Sequence, residues 1–193
     1  MRTTLINCLL LSGALCSLGS AGCGSGVNSD EQARRAYVGL DAAIDKAINL
    51  GFAGFNAASS ANIPAQMTTG TAAGTLKVTG QVDQGASNNK GMRLVTDFTG
   101  YSDDTRLFYV TVAGKTQELN MQLKGIPTGT LDGDANWTLD MTGELAGQVT
   151  LKIVFAGMLQ SGGGNIVQRK PGTTRITGTA TSGPGVYTID VTR

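Results

Sequence analysis

An antiparallel meander of about eight strands is the fold this sequence predicts, curved into a half-barrel or barrel with one amphipathic helix packed on it. Three observations predict it. Apolar residues recur in steps of two through most of the chain from Thr75 onward. One earlier stretch repeats in steps of three and four instead. Turn signals rich in Gly, Pro, Asp and Ser separate the period-two runs at short intervals. A β-sandwich is the alternative arrangement of the same strands.

The helix comes first. Ala33, Tyr37, Leu40, Ile44, Ala47 and Ile48 share one helical face, while Arg34, Arg35, Asp41, Asp45 and Lys46 fall mostly elsewhere. Asn28 or Ser29 suits its N-cap, Asp30 and Glu31 favour its first turn, and Gly51 is the expected stop. Its polar face mixes charges, which suits packing on a sheet better than lying on a membrane. Residues 51–73 are expected as a connector from which Phe52 and Phe55 pack inward.

The strands follow. Leu76, Val78, Gly80 and Val82 share a face, as do Met92, Leu94, Thr96 and Phe98. Phe108, Val110 and Val112 are expected to form the next buried face, then Leu119, Met121 and Leu123. Ile176, Gly178 and Ala180, and finally Tyr187, Ile189 and Val191, complete the set. Between Leu131 and Leu159 every odd position is apolar or Gly. Strands rarely pass about ten residues, so this run is expected to fold back near Gly143–Gly147. Parity is kept across the fold-back, so the loop must hold an odd count of residues or a bulge. With Gly143 facing Gly147, Met141 faces Val149, Leu139 faces Leu151, Trp137 faces Ile153 and Gly133 faces Gly157. Inward glycines at 80, 133, 157 and 178 point to sharp bending or close approach of a neighbour.

Composition excludes several kinds of chemistry. The 193 residues contain no His, so no Ser-His-Asp triad, Cys-His pair or His-ligated metal is available. Lys and Arg number 15 against 14 Asp and Glu, which argues against a nucleic-acid partner. The 3 Cys all lie within the first 23 residues, so no disulfide is expected to support the body of the protein.

Those first residues read as an address. Arg2 is followed by an apolar run from Leu5 to Leu18 and then by Gly19, Ser20, Ala21 and Gly22. The apolar run is shorter than the roughly 20 residues that span a bilayer. Ser20-Ala21-Gly22-Cys23 resembles the lipobox of bacterial lipoproteins, departing from the commonest pattern at Ser20, where that family usually carries Leu. The resemblance covers residues 1–23. It implies a signal peptide over 1–22 and a lipid-modified Cys23, with acyl chains that attach the protein to a membrane. Gly24 after the cysteine, by the same resemblance, implies the outer membrane of the cell envelope. Residues 23–29 are then expected as the lipidated cysteine and a flexible tether, and 30–193 as a single helix-plus-β domain. The body resembles small lipoproteins of myxobacterial type, with a helix followed by a Thr/Gly-rich sheet; that resemblance implies no activity.

Four constellations bear on chemistry. Asp132, Asp134 and Asn136 match the opening of an EF-hand loop, but Trp137 stands where Gly is required and Gly143 where the bidentate Glu belongs. At most they form a weak surface calcium site on the wet face of a strand. Asp103-Asp104 reads as a turn pair. Arg169-Lys170-Pro171-Gly172 reads as a solvated basic hairpin tip with a type II turn. Ser161-Gly162-Gly163-Gly164 lacks the Lys and Ser/Thr of a phosphate loop and reads as a hairpin loop.

The expected function is that of a lipid-anchored envelope protein without enzymatic activity or cofactor. Its partners are membrane lipid through acylated Cys23 and, in addition, an apolar ligand or a protein. Lipid carriage under a helical lid would resemble the architecture of lipoprotein-localisation factors and requires an enclosed apolar pocket between helix and sheet. Two alternatives remain open at this point. An envelope hydrolase using Asp or Glu requires convergent carboxylates in a cleft. A small outer-membrane β-barrel requires aromatic girdles, whereas the chain has 1 Trp, 4 Tyr and 5 Phe.

Overall fold

The period-two runs do form one antiparallel sheet in the computed structural model, which describes residues 26–193. Two helical segments, α1 (Asp30–Val38) and α2 (Asp41–Ala57), come first. The strands are β1 (Asn62–Thr69), β2 (Ala73–Val82), β3 (Lys90–Ser102), β4 (Leu107–Thr111), β5 (Gln117–Lys124), β6 (Thr130–Gly143), β7 (Gly147–Ser161), β8 (Val167–Arg169), β9 (Arg175–Ser182) and β10 (Gly185–Thr192).

The ten strands occupy eight lanes. β4 and β5 both lie between β3 and β6 and run in the same direction, and β8 and β9 both follow β7 in the same way. Each pair is one strand interrupted by a loop, so the sheet is a nearest-neighbour meander. Side chains mend the first interruption. Thr111 Oγ1 accepts from Phe98 N–H at 2.8 Å, and Gln117 Oε1 accepts from Thr138 N–H at 2.5 Å. Such replacement matters because a buried amide without a partner is costly. β1 and β10 each pair with one neighbour, so the sheet curls without closing into a barrel.

The helical segments fill the concave side. Ala33, Ala36, Tyr37, Leu40, Ala43, Ile44, Ala47 and Ile48 are buried against Leu76, Val78, Met92, Leu94 and other inward side chains of the sheet. Trp137 lies at the centre, fully buried, with Phe98 edge-on at 5.5 Å. The expected helix is present but broken at Gly39–Leu40. The Tyr109 hydroxyl donates to the Ala36 carbonyl at 2.8 Å, an oxygen that an unbroken helix would offer to Leu40 N–H. Leu40 N–H turns to the Tyr37 carbonyl instead. Ser29 caps α1, its Oγ accepting from Gln32 N–H.

Several expectations are corrected. Gly51 does not stop the helix; it is buried inside α2, where a Cβ would stand 2.9 Å from Met92 Sδ, so its smallness lets α2 lie close on β3. The connector of residues 51–73 is instead the end of α2 followed by strand β1. β1 escapes a sequence reading because it is a polar edge strand with Pro64 in a bulge between Ile63 and Gln66, a place where Pro does not break a ladder. The face of β4 is inverted. Leu107 and Tyr109 are buried, while Val110 is 44% exposed, because the Tyr109 ring fits beneath α1 and its hydroxyl finds a partner there.

The β6–β7 hairpin keeps the expected parity but not the register. Met141 faces Gly147, Leu139 faces Val149, Trp137 faces Leu151 and Gly133 faces Phe155, a shift of two residues from the expected pairing. The cause lies in the loop. Gly143 stays paired with Leu107 of β4, Glu144 N–H donates to the Arg106 carbonyl at 2.9 Å, and Leu145 tucks into the core. Residues 142–146 are thereby withheld from the hairpin ladder.

Candidate functional site

Three regions have the geometry to act beyond packing: the seat of the chain's first described residues, a pair of charged clasps around α2, and an open groove on the outer sheet face.

The seat comes first. Gly26 N–H donates to the Ala146 carbonyl at 2.9 Å, and Val27 N–H to Ser182 Oγ at 3.2 Å. Ser182 Oγ donates in turn to the Gln148 carbonyl at 3.0 Å. Val27 is fully buried. The expected tether of residues 23–29 is therefore corrected: from Gly26 onward the chain is bound into the β6–β7 and β9–β10 turns and passes straight into the α1 cap. Burial of the Val27 side chain and two hydrogen bonds fix it there. Cys23, the expected lipidation residue, lies outside the described residues, as do Cys8, Cys16 and the whole of segment 1–22.

The first clasp centres on Arg169. Its guanidinium donates to Asp41 Oδ1 at 2.8 Å, to the Asp41 carbonyl at 2.7 Å and to Asp45 Oδ2 at 2.8 Å. Tyr37 donates its hydroxyl to Asp41 Oδ1 at 2.5 Å, and Arg193 Nε donates to Asp41 Oδ2 at 3.3 Å. Arg193 is held in place by two backbone hydrogen bonds with Thr174. Burial alone would push the Asp41 carboxyl upward, but the hydrogen bonds and charge of Arg169, with Tyr37 and Arg193, outweigh it and hold the pKa below the usual value. The solvated basic tip expected at 169–172 is corrected accordingly. Arg169 is buried, and the exposed part of that turn is Lys170-Pro171-Gly172. The type II turn itself is present, with Gly172 at φ +75° and Thr173 N–H donating to the Lys170 carbonyl.

The second clasp holds the opposite flank of α2. Asp103 Oδ1 accepts from Lys46 Nζ at 2.5 Å and from Thr71 N–H at 2.8 Å, while Oδ2 accepts from the Tyr101 hydroxyl at 2.5 Å. Burial pushes this carboxyl up, and the bonds from Lys46, Tyr101 and Thr71 bring it below its usual range. Asp104 is the turn residue expected, accepting from Arg106 and Leu107 N–H. The lone pairs of Asp41 and Asp103 are thus committed and both carboxylates stay ionised near neutral pH. They can clamp α2 to the sheet, but they hold no proton to donate.

The groove crosses the outer face of β5, β6, β7 and β9. It has a volume of about 740 Å³, opens widely to solvent, and is bordered by Asn120, Gln122, Asp132, Asp134, Val154 and Arg175. Asp132, Asp134 and Asn136 lie at alternate positions on the exposed face of β6, so they follow one another along the strand. Asp132 faces Lys124 at 4.0 Å, and Asp134 accepts from Asn120 at 3.1 Å. The structure does not draw the three into a cage, and among the described residues no group of three or more Asp, Glu, Cys or His is placed to hold a metal.

Sequence reasoning missed the clasps. One signal was present: Asp41, Asp45 and Asn49 recur every four residues and form a polar stripe on α2. Their partners Val167, Arg169 and Arg193 lie more than a hundred residues away in sequence, which no local pattern identifies. In comparisons with known proteins the chain matches no family model, no curated protein and no solved structure.

Proposed function

We propose that the protein is a lipoprotein of the cell envelope, attached to the outer membrane through acylated Cys23, with a structural or partner-binding role and no catalytic one. The observation that carries this reading is the seat of Gly26 and Val27. The fold takes hold of the chain directly after the lipobox-like Ser20-Ala21-Gly22-Cys23, as suits a domain held at a fixed point. The least exposed acids support the non-catalytic part. Asp41 and Asp45 face Arg169, and Asp103 faces Lys46, so none is a free acid or base in a cleft.

The seam between helix and sheet is filled by buried side chains, which gives no support to lipid carriage beneath a helical lid. The outward sheet face carries Lys77, Asp97, Glu118 and Lys152, a surface unsuited to acyl chains and hence to a transmembrane barrel. A polar partner in the outer groove fits the chemistry better than an apolar cargo.

The test is metabolic labelling with a palmitate analogue, followed by membrane fractionation of the wild type and of Cys23→Ala. The expected result is label and outer-membrane recovery for the wild type, and a soluble, unlabelled variant. An unlabelled wild type would overturn the reading.

A further inference from the structure

The seat has a geometric consequence for how the domain faces its membrane; this rests on the lipoprotein reading above. Gly24 and Ser25 alone separate Cys23 from Gly26. Three Cα–Cα steps of about 3.8 Å reach at most about 11 Å. The rim to which Gly26 is bound must therefore lie close to the lipid surface.

The meander decides what occupies that rim. Its turns alternate between two ends, and residues 70–72, 103–106, 144–146 and 183–184 share the end where Gly26 is bound. Residues 83–89, 125–129 and 162–166 share the other. β7 alone runs 15 residues between the two, a rise of roughly 45 Å at about 3.3 Å per residue.

The surface nearest the attachment point is suited to lipid. From Ile176 to Ile189 there is no charged residue. The β9–β10 hairpin tip presents Pro184 and Val186, the latter 64% exposed, with Tyr187 half-buried behind them. Ser182, which binds Val27, faces Gly185 in the same hairpin. An uncharged tip with an exposed aliphatic side chain and a tyrosine fits the headgroup–acyl boundary of a bilayer, where amphipathic rings are enriched. Four pairs of charges cancel on this rim, Arg35 with Glu144, Arg34 with Glu31, Arg106 with Asp104 and Lys46 with Asp103, while the Asp30 carboxylate accepts from Thr188 N–H at 2.7 Å.

We infer that the β9–β10 hairpin tip, Ser182–Tyr187, is a lipid-contacting surface that rests on the bilayer holding Cys23 and turns the opposite rim toward the aqueous compartment. Contact is through apolar and dipolar groups, so it does not depend on anionic lipid.

The test uses the full chain, expressed and processed in cells and reconstituted into phosphatidylcholine vesicles that carry a nitroxide quencher near the headgroup. Acylation consumes the Cys23 thiol, and cleavage removes Cys8 and Cys16. A cysteine introduced by Val186→Cys or Ile166→Cys then takes a fluorophore alone. Both positions are exposed, and Ile166 is on the far rim. The expected result is quenching several-fold stronger at 186 than at 166, unchanged when phosphatidylglycerol is added. Equal quenching in a vesicle-bound chain would overturn the orientation and leave the anchor standing. A difference seen with phosphatidylglycerol alone would overturn the uncharged tip as the contact. A chain that lacks the acyl group and stays off the vesicles would overturn the anchor, and the orientation with it.

Discussion

Asn49 and Val167 are joined as two strands would be. The Asn49 side chain accepts from Val167 N–H at 3.2 Å and donates to the Val167 carbonyl at 3.1 Å. Asp45 adds a third bond, accepting from Arg169 N–H at 2.9 Å. Helix α2 thus supplies, from side chains, the ladder that β8 lacks on its outer edge. Covered edges resist pairing with other chains.

Replacing Asn49 by Ala removes three hydrogen bonds, two with Val167 and one to the Asp45 carbonyl, and uncovers that edge. The expected loss is about 1–3 kcal/mol of unfolding free energy in urea, with faster aggregation on heating. Asn49→Asp should be worse at neutral pH than Asn49→Ala, because a carboxylate cannot donate and would face the Val167 carbonyl.

Arg169→Leu takes from the buried Asp41 its closest cation and leaves it only the more exposed Arg193 at 3.3 Å. A loss of about 3–5 kcal/mol is expected, as for other buried pairs broken on one side. Adding Asp41→Asn to that variant should recover part of it, since the neutral amide no longer needs the charge. Denaturant midpoints of the single and double variants measure the coupling.

Stability should be flat across neutral pH and fall at both extremes. Asp41 and Asp103 have lowered pKa values in the fold, so their contribution is complete above the unfolded value of about 4 and is lost as pH falls through the folded value. Tyr37, Tyr101 and Tyr109 are raised, chiefly by burial, so theirs is complete below about pH 10 and is lost as pH rises. With no His, no side chain ordinarily titrates between pH 5 and 8. A melting temperature that shifts markedly between those values would contradict this.

Gly80 and Gly85 both have positive φ, at 121° and 105°. A Cβ on Gly80 would press on the Arg93 carbonyl and stand 2.9 Å from Leu94 Cα, whereas one on Gly85 meets nothing within 4 Å. Gly80→Ala is expected to cost about 2–4 kcal/mol and Gly85→Ala about 1 kcal/mol. Thermal unfolding of the two variants separates crowding from backbone strain.

Much of this architecture was legible in the sequence. The inward face of β6 and β7 can be read residue by residue from Leu131 to Leu159, because a strand's side chains alternate with a period of two and one face is buried. The helical face from Ala33 to Ile48 is equally plain. The two-residue shift of the β6–β7 register was not legible, because its cause is Arg106, a residue of another turn. Nor was the inverted face of β4. Phe108 and Val110 alternate as convincingly as Leu107 and Tyr109, and the choice was made by the Ala36 carbonyl on a helix 73 residues away.

The sequence by itself determined the class of fold, the helical face with a cap at Asn28 or Ser29, and the exclusion of imidazole chemistry. These follow from period, turn residues and composition, which are local properties. Tertiary structure alone decided that Arg169 is a buried clasp, that α2 is held on both flanks, and that the chain is seated from Gly26 onward. Each of those depends on a partner distant in sequence, and a charge at the end of a long side chain reads the same on a wet loop as in a buried pair until its partner is in place.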